Sequence, residues 1–247
     1  MKPADFIAVF LAFIVLAAWE GFVRIMDVPA FILPPPSRIF TTALVQAPLI
    51  LPHAAVTLTE IVLGICCAVA TAVPLAVAMF ALPALEKSLS PFLVASQAVP
   101  VFALAPLLVV WLGYGLAAKV FMAWIIIFFP ICISLLEGLK DCDPELRILF
   151  RIMGASFFKT LRFLYWPWAL PRFFAGLKVG VSVATIGAVI GEWVGAQQGL
   201  GFLMIQANAR LKVDLVFAAI LWLTLMGLSM WWTVGMLEKK IIHWNKN

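Results

Sequence analysis

Long apolar runs alternate with short polar breaks along this chain, and six of the runs are long enough to cross a bilayer. A spanning helix needs about 20 predominantly apolar residues. The runs are Phe6 to Ile25, Val56 to Leu82, Pro91 to Leu112, Ala117 to Leu136, Phe173 to Val194 and Leu215 to Leu237. The second is long enough to tilt. No polar linker separates them, so the pattern predicts an all-α polytopic membrane bundle of about six transmembrane helices, one domain over residues 1–247. The first run resembles a signal peptide, but it continues through Ala18, and Trp19-Glu20-Gly21 is a poor cleavage site. It reads as a retained helix.

Composition supports the bilayer as solvent. Hydrophobic residues make up 65% of the chain and charged residues 12%, against roughly 45–50% and about 25% in soluble proteins. The net charge of +5 does not point to nucleic acid, because the basic residues collect beside the apolar runs. With the N-terminus inside, eleven Lys and Arg fall in inner segments and five in outer ones, with Lys178 within the fifth run. Both termini are therefore expected in the cytoplasm. Cys66, Cys67, Cys132 and Cys142 form no metal-binding or redox motif, and His53 and His243 stand alone. Neither a metal site nor a catalytic cluster is expected.

Pro74, Pro100, Pro106 and Pro130 interrupt apolar runs. Each removes a helical hydrogen bond, which suits either a bundle around a pathway or ordinary membrane-helix packing. Before the second run, Ile32-Leu33-Pro34-Pro35-Pro36-Ser37-Arg38 makes a stiff extended piece. Ser37 is placed there to cap a short helix.

The polar break after the fourth run exceeds a connector's length. From Lys140 to Arg172 it is rich in Leu, Ile and Phe. Asp143 with Pro144 predicts a helix start, and Leu146, Leu149, Phe150 and Met153 form its apolar face. Gly154-Ala155-Ser156 ends it. A second amphipathic helix follows and is expected to stop at Pro167 and Pro171. Such helices can lie on a membrane or enter a partner's groove. Gly154 to Thr160 is not a phosphate loop, because Phe158 stands where a glycine must precede the lysine.

This loop resembles the cytoplasmic loop of binding-protein-dependent ABC importer permeases. Gly154, Leu170-Pro171 and Asp143-Pro144-Glu145-Leu146 fit that pattern, whereas Ile148, Leu149 and Phe150 replace its Glu-Ala-Ala triad. The resemblance extends to Ile32–Arg38, to Gly191-Glu192-Trp193-Val194-Gly195-Ala196 with Gly199-Leu200-Gly201, and to Gln97–Pro106 with Trp111–Gly115. It implies coupling to an ATPase through residues 141–166, at Arg147, Arg151, Gly154, Ala155 and Ser156. It further implies a second permease copy, a solute-binding protein outside a bacterial inner membrane, and ATP–Mg held by the partner ATPase, with no cofactor on this chain. The motifs look most like those of permeases for thiamine-pyrimidine precursors or riboflavin, with nitrate, taurine and aliphatic sulfonates as alternatives.

Charges within spans are functional suspects. Glu20 and Arg24, four apart, read as an intrahelical pair. Glu60 is expected near the outer end of its helix, within reach of water. Glu137 lies close to Lys140, and Lys178 is expected to snorkel. Gly187, Gly191 and Gly195 make a small-residue face at a subunit or bundle interface, with Glu192 at its end. Candidate pathway or gate residues are Gln97, Ser182, Thr185, Glu192 and Trp193, alongside Ser96 and Ser134, with interhelical hydrogen bonding as the alternative. A stand-alone secondary transporter would need a carboxylate near mid-membrane, and the pattern places none there.

Overall fold

The computed structural model describes residues 3–244, apart from the side chains of residues 3–6, 8 and 9. Lys2 and Lys246, which entered the charge count, lie outside the described residues. Eleven α-helices and no strand occur among the described residues: α1 (Pro3–Ile25), α2 (Pro36–Val45), α3 (Ala47–Ala81), α4 (Pro83–Ala98), α5 (Val101–Leu112), α6 (Leu116–Lys140), α7 (Pro144–Ile152), α8 (Phe157–Thr160), α9 (Trp166–Gly195), α10 (Leu200–Ala209) and α11 (Val213–Ile241). Residues Leu161–Tyr165 form a π-helical stretch that joins α8 to α9.

Four helices among the described residues are long and apolar enough to span: α3, α6, the continuous Phe157–Gly195 and α11. The 23-residue α1 is apolar in sequence. The expected third span is different in kind. Instead of one rod over Pro91 to Leu112, α4 and α5 meet at 98°. Val99 precedes Pro100 and is forced into the extended region (φ −77°, ψ 120°), which breaks the helix there. The two arms have 16 and 12 residues, about 24 and 18 Å at 1.5 Å per residue. Neither alone reaches across a hydrocarbon core of about 30 Å. Pro106 and Pro130 sit inside continuous helices, so among the interior prolines it is Pro100 that makes the break.

Pro167 and Pro171 do not end the helix that follows the loop, contrary to the sequence pattern; the helix runs on for 39 residues. The change to π register at Leu161–Tyr165 explains this for Pro167, whereas Pro171 sits inside the continuous helix. Pro167 stands in the first turn after that change, where a missing N–H costs little.

The chain divides into two compact units. Residues 1–56 and 197–225 form the first. Here Glu20 pairs with Arg24 at 2.6 Å, as the spacing implied. Its carboxylate also accepts from the Ser37 N–H (3.0 Å) and hydroxyl (2.7 Å). Ser37 therefore does not cap α2. Pro35 takes the cap position with Pro36 in the first turn, and Glu20 supplies the acceptor for an N–H that no side chain of α2 itself satisfies. Arg38 reaches Asp214 on α11 at 3.2 Å, so the motif after the three prolines ties α2 to both α1 and α11. Trp19 packs edge-on against Phe217 at 5.8 Å. Gly199, at φ +118°, precedes α10 and donates its N–H to His53 Nδ1 at 3.0 Å.

Residues 57–196 and 226–247 form the second unit. Its core is α6 against α9, closed over glycine. A Cβ on Gly176 would stand 2.6 Å from the Pro130 carbonyl oxygen, one on Gly187 2.8 Å from Ala123 Cα, and one on Gly191 3.0 Å from Lys119 Cα. The small-residue face at Gly187, Gly191 and Gly195 thus packs within one chain. Small residues let membrane helices approach at backbone contact, where dispersion acts without a hydrophobic drive. Around that seam Met122, Ile127, Ile131, Leu135, Val181 and Ala184 are buried.

Candidate functional site

The loop at 141–166 is built from α7, a turn and α8 with the π stretch. Asp143 caps α7, accepting from the Glu145 N–H at 2.8 Å, with Pro144 in the first turn. This is the start expected from sequence. No residue of α7 is buried, and Ile148, Leu149 and Ile152 lie open beside Arg151. At its far end Gly154 adopts φ +69°. The Gly154 N–H bonds the Arg151 carbonyl (3.1 Å) and the Ala155 N–H bonds the Phe150 carbonyl (3.0 Å). That pair is a complete Schellman closure, which needs a left-handed residue at this position. Ser156 precedes α8, and its carbonyl accepts from the Thr160 N–H and hydroxyl at 2.9 and 3.0 Å.

Seven side chains fasten this loop to the bundle. Arg147 donates to the Lys140 carbonyl, and its guanidinium sits 5.9 Å from the centre of the Tyr165 ring in the π stretch. Lys140 pairs with Glu86 in the first turn of α4 at 2.6 Å, not with Glu137 on its own helix. Arg172 pairs with Asp141 at 3.1 Å, and the Trp168 indole N–H donates to the Asp141 carbonyl at 3.1 Å. One continuous set of contacts thus runs from α7 through Lys140 to α4. Arg147, Arg151 and Ala155 line a single cavity of about 340 Å³ together with Ile148, Phe157, Thr160 and Tyr165. Sequence reasoning named the first three and missed Glu86, Lys140, Tyr165 and Arg172 as fasteners. Basic residues at a loop were visible; their partners lie up to 54 residues away.

A second polar group lies inside the bundle. Glu60 is fully buried, not at a watery helix end. Its helix begins at Ala47, nine residues before the apolar pattern starts, which sets Glu60 about 20 Å along the axis. Lys119, expected in an outer loop, turns inward and pairs with Glu60 at 2.7 Å. One turn earlier on α3, Thr57 donates to Glu192 at 2.6 Å, and both are buried. Carboxylates from α3 and α9 and an ammonium from α6 therefore meet out of water. An exposed ion pair contributes little, but a buried one is costly to break.

The remaining pathway candidates are scattered. Gln97, at the end of α4, is exposed and donates to Ser96 at 3.4 Å. The exposed Ser182 hydroxyl bonds the Lys178 carbonyl at 2.8 Å. Thr185 lies 3.6 Å from where a side chain on Gly227 would begin. Trp193 faces outward, 42% exposed and edge-on to Phe102 at 6.4 Å, while its neighbour Glu192 faces inward. Lys178 pairs with Glu238 near the C-terminal end of α11 and sits 5.7 Å over the Trp231 ring.

The chain has counterparts among known proteins. Residues 60–243 match the family model described as binding-protein-dependent transport system inner membrane component. The chain belongs to that family. The permease is 39% identical over 229 residues to a probable ABC transporter permease protein of Haemophilus influenzae, covering 93% of this chain and 94% of the relative. It is 34% identical to the formylaminopyrimidine transport permease protein ThiX of Halalkalibacterium halodurans, over 94% and 92% of the two chains. It is 36% identical to the riboflavin transport system permease protein RibX of Chloroflexus aurantiacus, over 94% and 87%. A solved structure of inward-facing MetNI, a methionine ABC transporter, shares the fold with a TM-score of 0.62 at 20% identity, covering 76% of this chain and 97% of that one. The all-α membrane fold and the importer-permease family implied by the sequence motifs are both borne out.

Proposed function

We propose that the permease carries a small heteroaromatic solute, such as a thiamine-pyrimidine precursor or riboflavin, inward across a bacterial inner membrane. Two relatives above 30% identity carry those solutes in their names. In this reading both termini and the 141–166 loop are cytoplasmic. Two permease copies form the path, a solute-binding protein delivers the solute, and separate ATPase subunits holding ATP–Mg dock on the loops. The chain itself performs no covalent chemistry and binds no cofactor.

The observation that carries this is the loop: a helix with no buried face, closed by a glycine turn and fastened at its base to α6, α4 and the π stretch. Force applied to α7 passes through Arg147 to the Lys140 backbone and through the Lys140 ammonium to Glu86 on α4. As the ATPases close, that movement biases the bundle between two states, and the ATPase contributes only as far as it binds them differently. The buried Glu60 already has Lys119 as its cation, which argues against its serving as an open coupling-ion site.

Replacing Gly154 by valine places a β-branched residue in the left-handed region, a strain of about 1–2 kcal/mol. Nothing lies within 4 Å of the added Cβ, so the bundle remains folded while α7 loses its turn. ATP hydrolysis should continue with solute uptake reduced several-fold; uptake at the wild-type rate would remove the turn from the coupling route. The solute class is tested by calorimetry on the cognate solute-binding protein. Tight binding of a pyrimidine or flavin supports the reading, and binding of taurine or a sulfonate in their place replaces it.

A further inference from the structure

The coupling loop carries three arginines without a carboxylate, and two of them, Arg147 and Arg151, line one cavity. Among the described residues neither Arg147 nor Arg151 enters an ion pair. Of the nearby acids, Asp141 holds Arg172 and Asp143 caps α7, while Glu145 in the first turn of α7 pairs with neither arginine. Arg147 spends one nitrogen on the Lys140 carbonyl, but its Nε is buried with no hydrogen-bond partner. A buried guanidinium N–H left unmatched is costly, and the Arg147 side chain lines the cavity together with Arg151 and Thr160. Its walls include the exposed Ile148 and Phe157, so a charge placed there is shielded from water only when a partner covers them. At the three positions where the permease pattern has Glu-Ala-Ala, this chain has Ile148, Leu149 and Phe150. The loop has therefore no acid of its own to offer there.

We propose that this cavity receives a carboxylate side chain of the ATPase subunit, held chiefly by Arg151 with the Arg147 guanidinium behind it. The inference rests on the ATPase-docking reading and deepens it: the partner supplies the acid and the permease the base. Charge complementarity selects the occupant. Guanidinium groups pair with carboxylates by parallel, charge-assisted hydrogen bonds. The apolar residues exposed around Arg151, among them Ile148 and Ile152, suit a protein groove that is apolar with an acidic point. Polarity of this kind also makes docking specific, because a groove built to receive the glutamate of a Glu-Ala-Ala triad would meet Arg151 with its own bases.

The test uses the full-length permease in nanodiscs with its cognate ATPase. Truncating or reversing one partner of a buried charge pair weakens binding by about 30-fold or more. Arg151→Glu should therefore lower ATPase affinity by about that factor, and Arg151→Lys should retain most of it. Scanning the ATPase groove, one Asp or Glu→Arg reversal should restore binding to Arg151→Glu and weaken wild type. Equal ATPase affinity for wild type and Arg151→Glu overturns the proposal while leaving the docking reading intact. Wild type that binds no ATPase overturns both. A loss in Arg151→Glu that no groove reversal restores, or one seen only in discs of phosphatidylglycerol and absent in phosphatidylcholine, assigns the cavity to a lipid phosphate and overturns it as well.

Discussion

Gly176→Val is expected to yield no folded, monodisperse permease. The α6–α9 seam admits no Cβ at this position: it would meet the Pro130 carbonyl oxygen at 2.6 Å and the Ser134 side chain at 2.6–2.7 Å. The Pro130 carbonyl is backbone and the Ser134 Cβ is fixed directly to it, so neither can swing aside as a flexible side chain does. Overpacking a core costs typically about 1–3 kcal/mol where neighbours can shift. Here the two helices must separate along the seam, and Gly180, Gly187 and Gly191 would lose their close contacts with it. The matched control is Gly21→Ala on α1, where nothing lies within 4 Å of the added methyl and alanine is the better helix former. Size-exclusion profiles and thermal unfolding in one detergent decide the matter. A Gly176→Val protein with the wild-type elution profile and melting temperature would show that α6 and α9 are not packed as described.

The second large effect is expected at Lys119. Its ammonium is the cation facing Glu60, whose side chain is fully buried and whose second oxygen has no hydrogen-bond partner. Lys119→Met leaves that carboxylate without its cation. Removing one partner of a buried ion pair costs on the order of 3–5 kcal/mol. The companion Glu60→Gln in the same chain removes the uncompensated charge, so the double variant should recover most of the loss. The double-mutant cycle separates the pair's own energy from the loss of the methylene chain. A single Lys119→Met variant as stable as wild type would mean that Glu60 reaches water.

These two sites show what the sequence disclosed and what it withheld. The glycine spacing of α9 announced a close helix contact, but not that the facing helix is α6 of the same chain, because spacing names a face and not its partner. Glu60 was visible as a charge in a span. Its depth was not, since the apolar run begins at Val56 whereas α3 begins at Ala47. Lys119 lies 59 residues away, beyond any local pattern. The bend at Pro100 was marked by one proline among several, and only the backbone at Val99 distinguishes it from Pro106, which a continuous helix accommodates. Pro167 misled in the opposite direction, because the π stretch that makes it tolerable has no signature in composition. At the loop, Asp143-Pro144 and Gly154 were fully legible, since caps and left-handed turns are local chemistry. Arg147 was legible as a base but not as a brace, because its contacts are a carbonyl at Lys140 and a ring at Tyr165.

The central claim is that this permease moves solute only when an ATPase acts on residues 141–166. Proteoliposomes holding the permease with its ATPase, given the loaded solute-binding protein on one side and ATP on the other, measure this directly. Solute entry should require both the ATPase and hydrolysable ATP, and should fall away when either is left out. Entry at the same rate into vesicles that contain the permease alone would contradict the account.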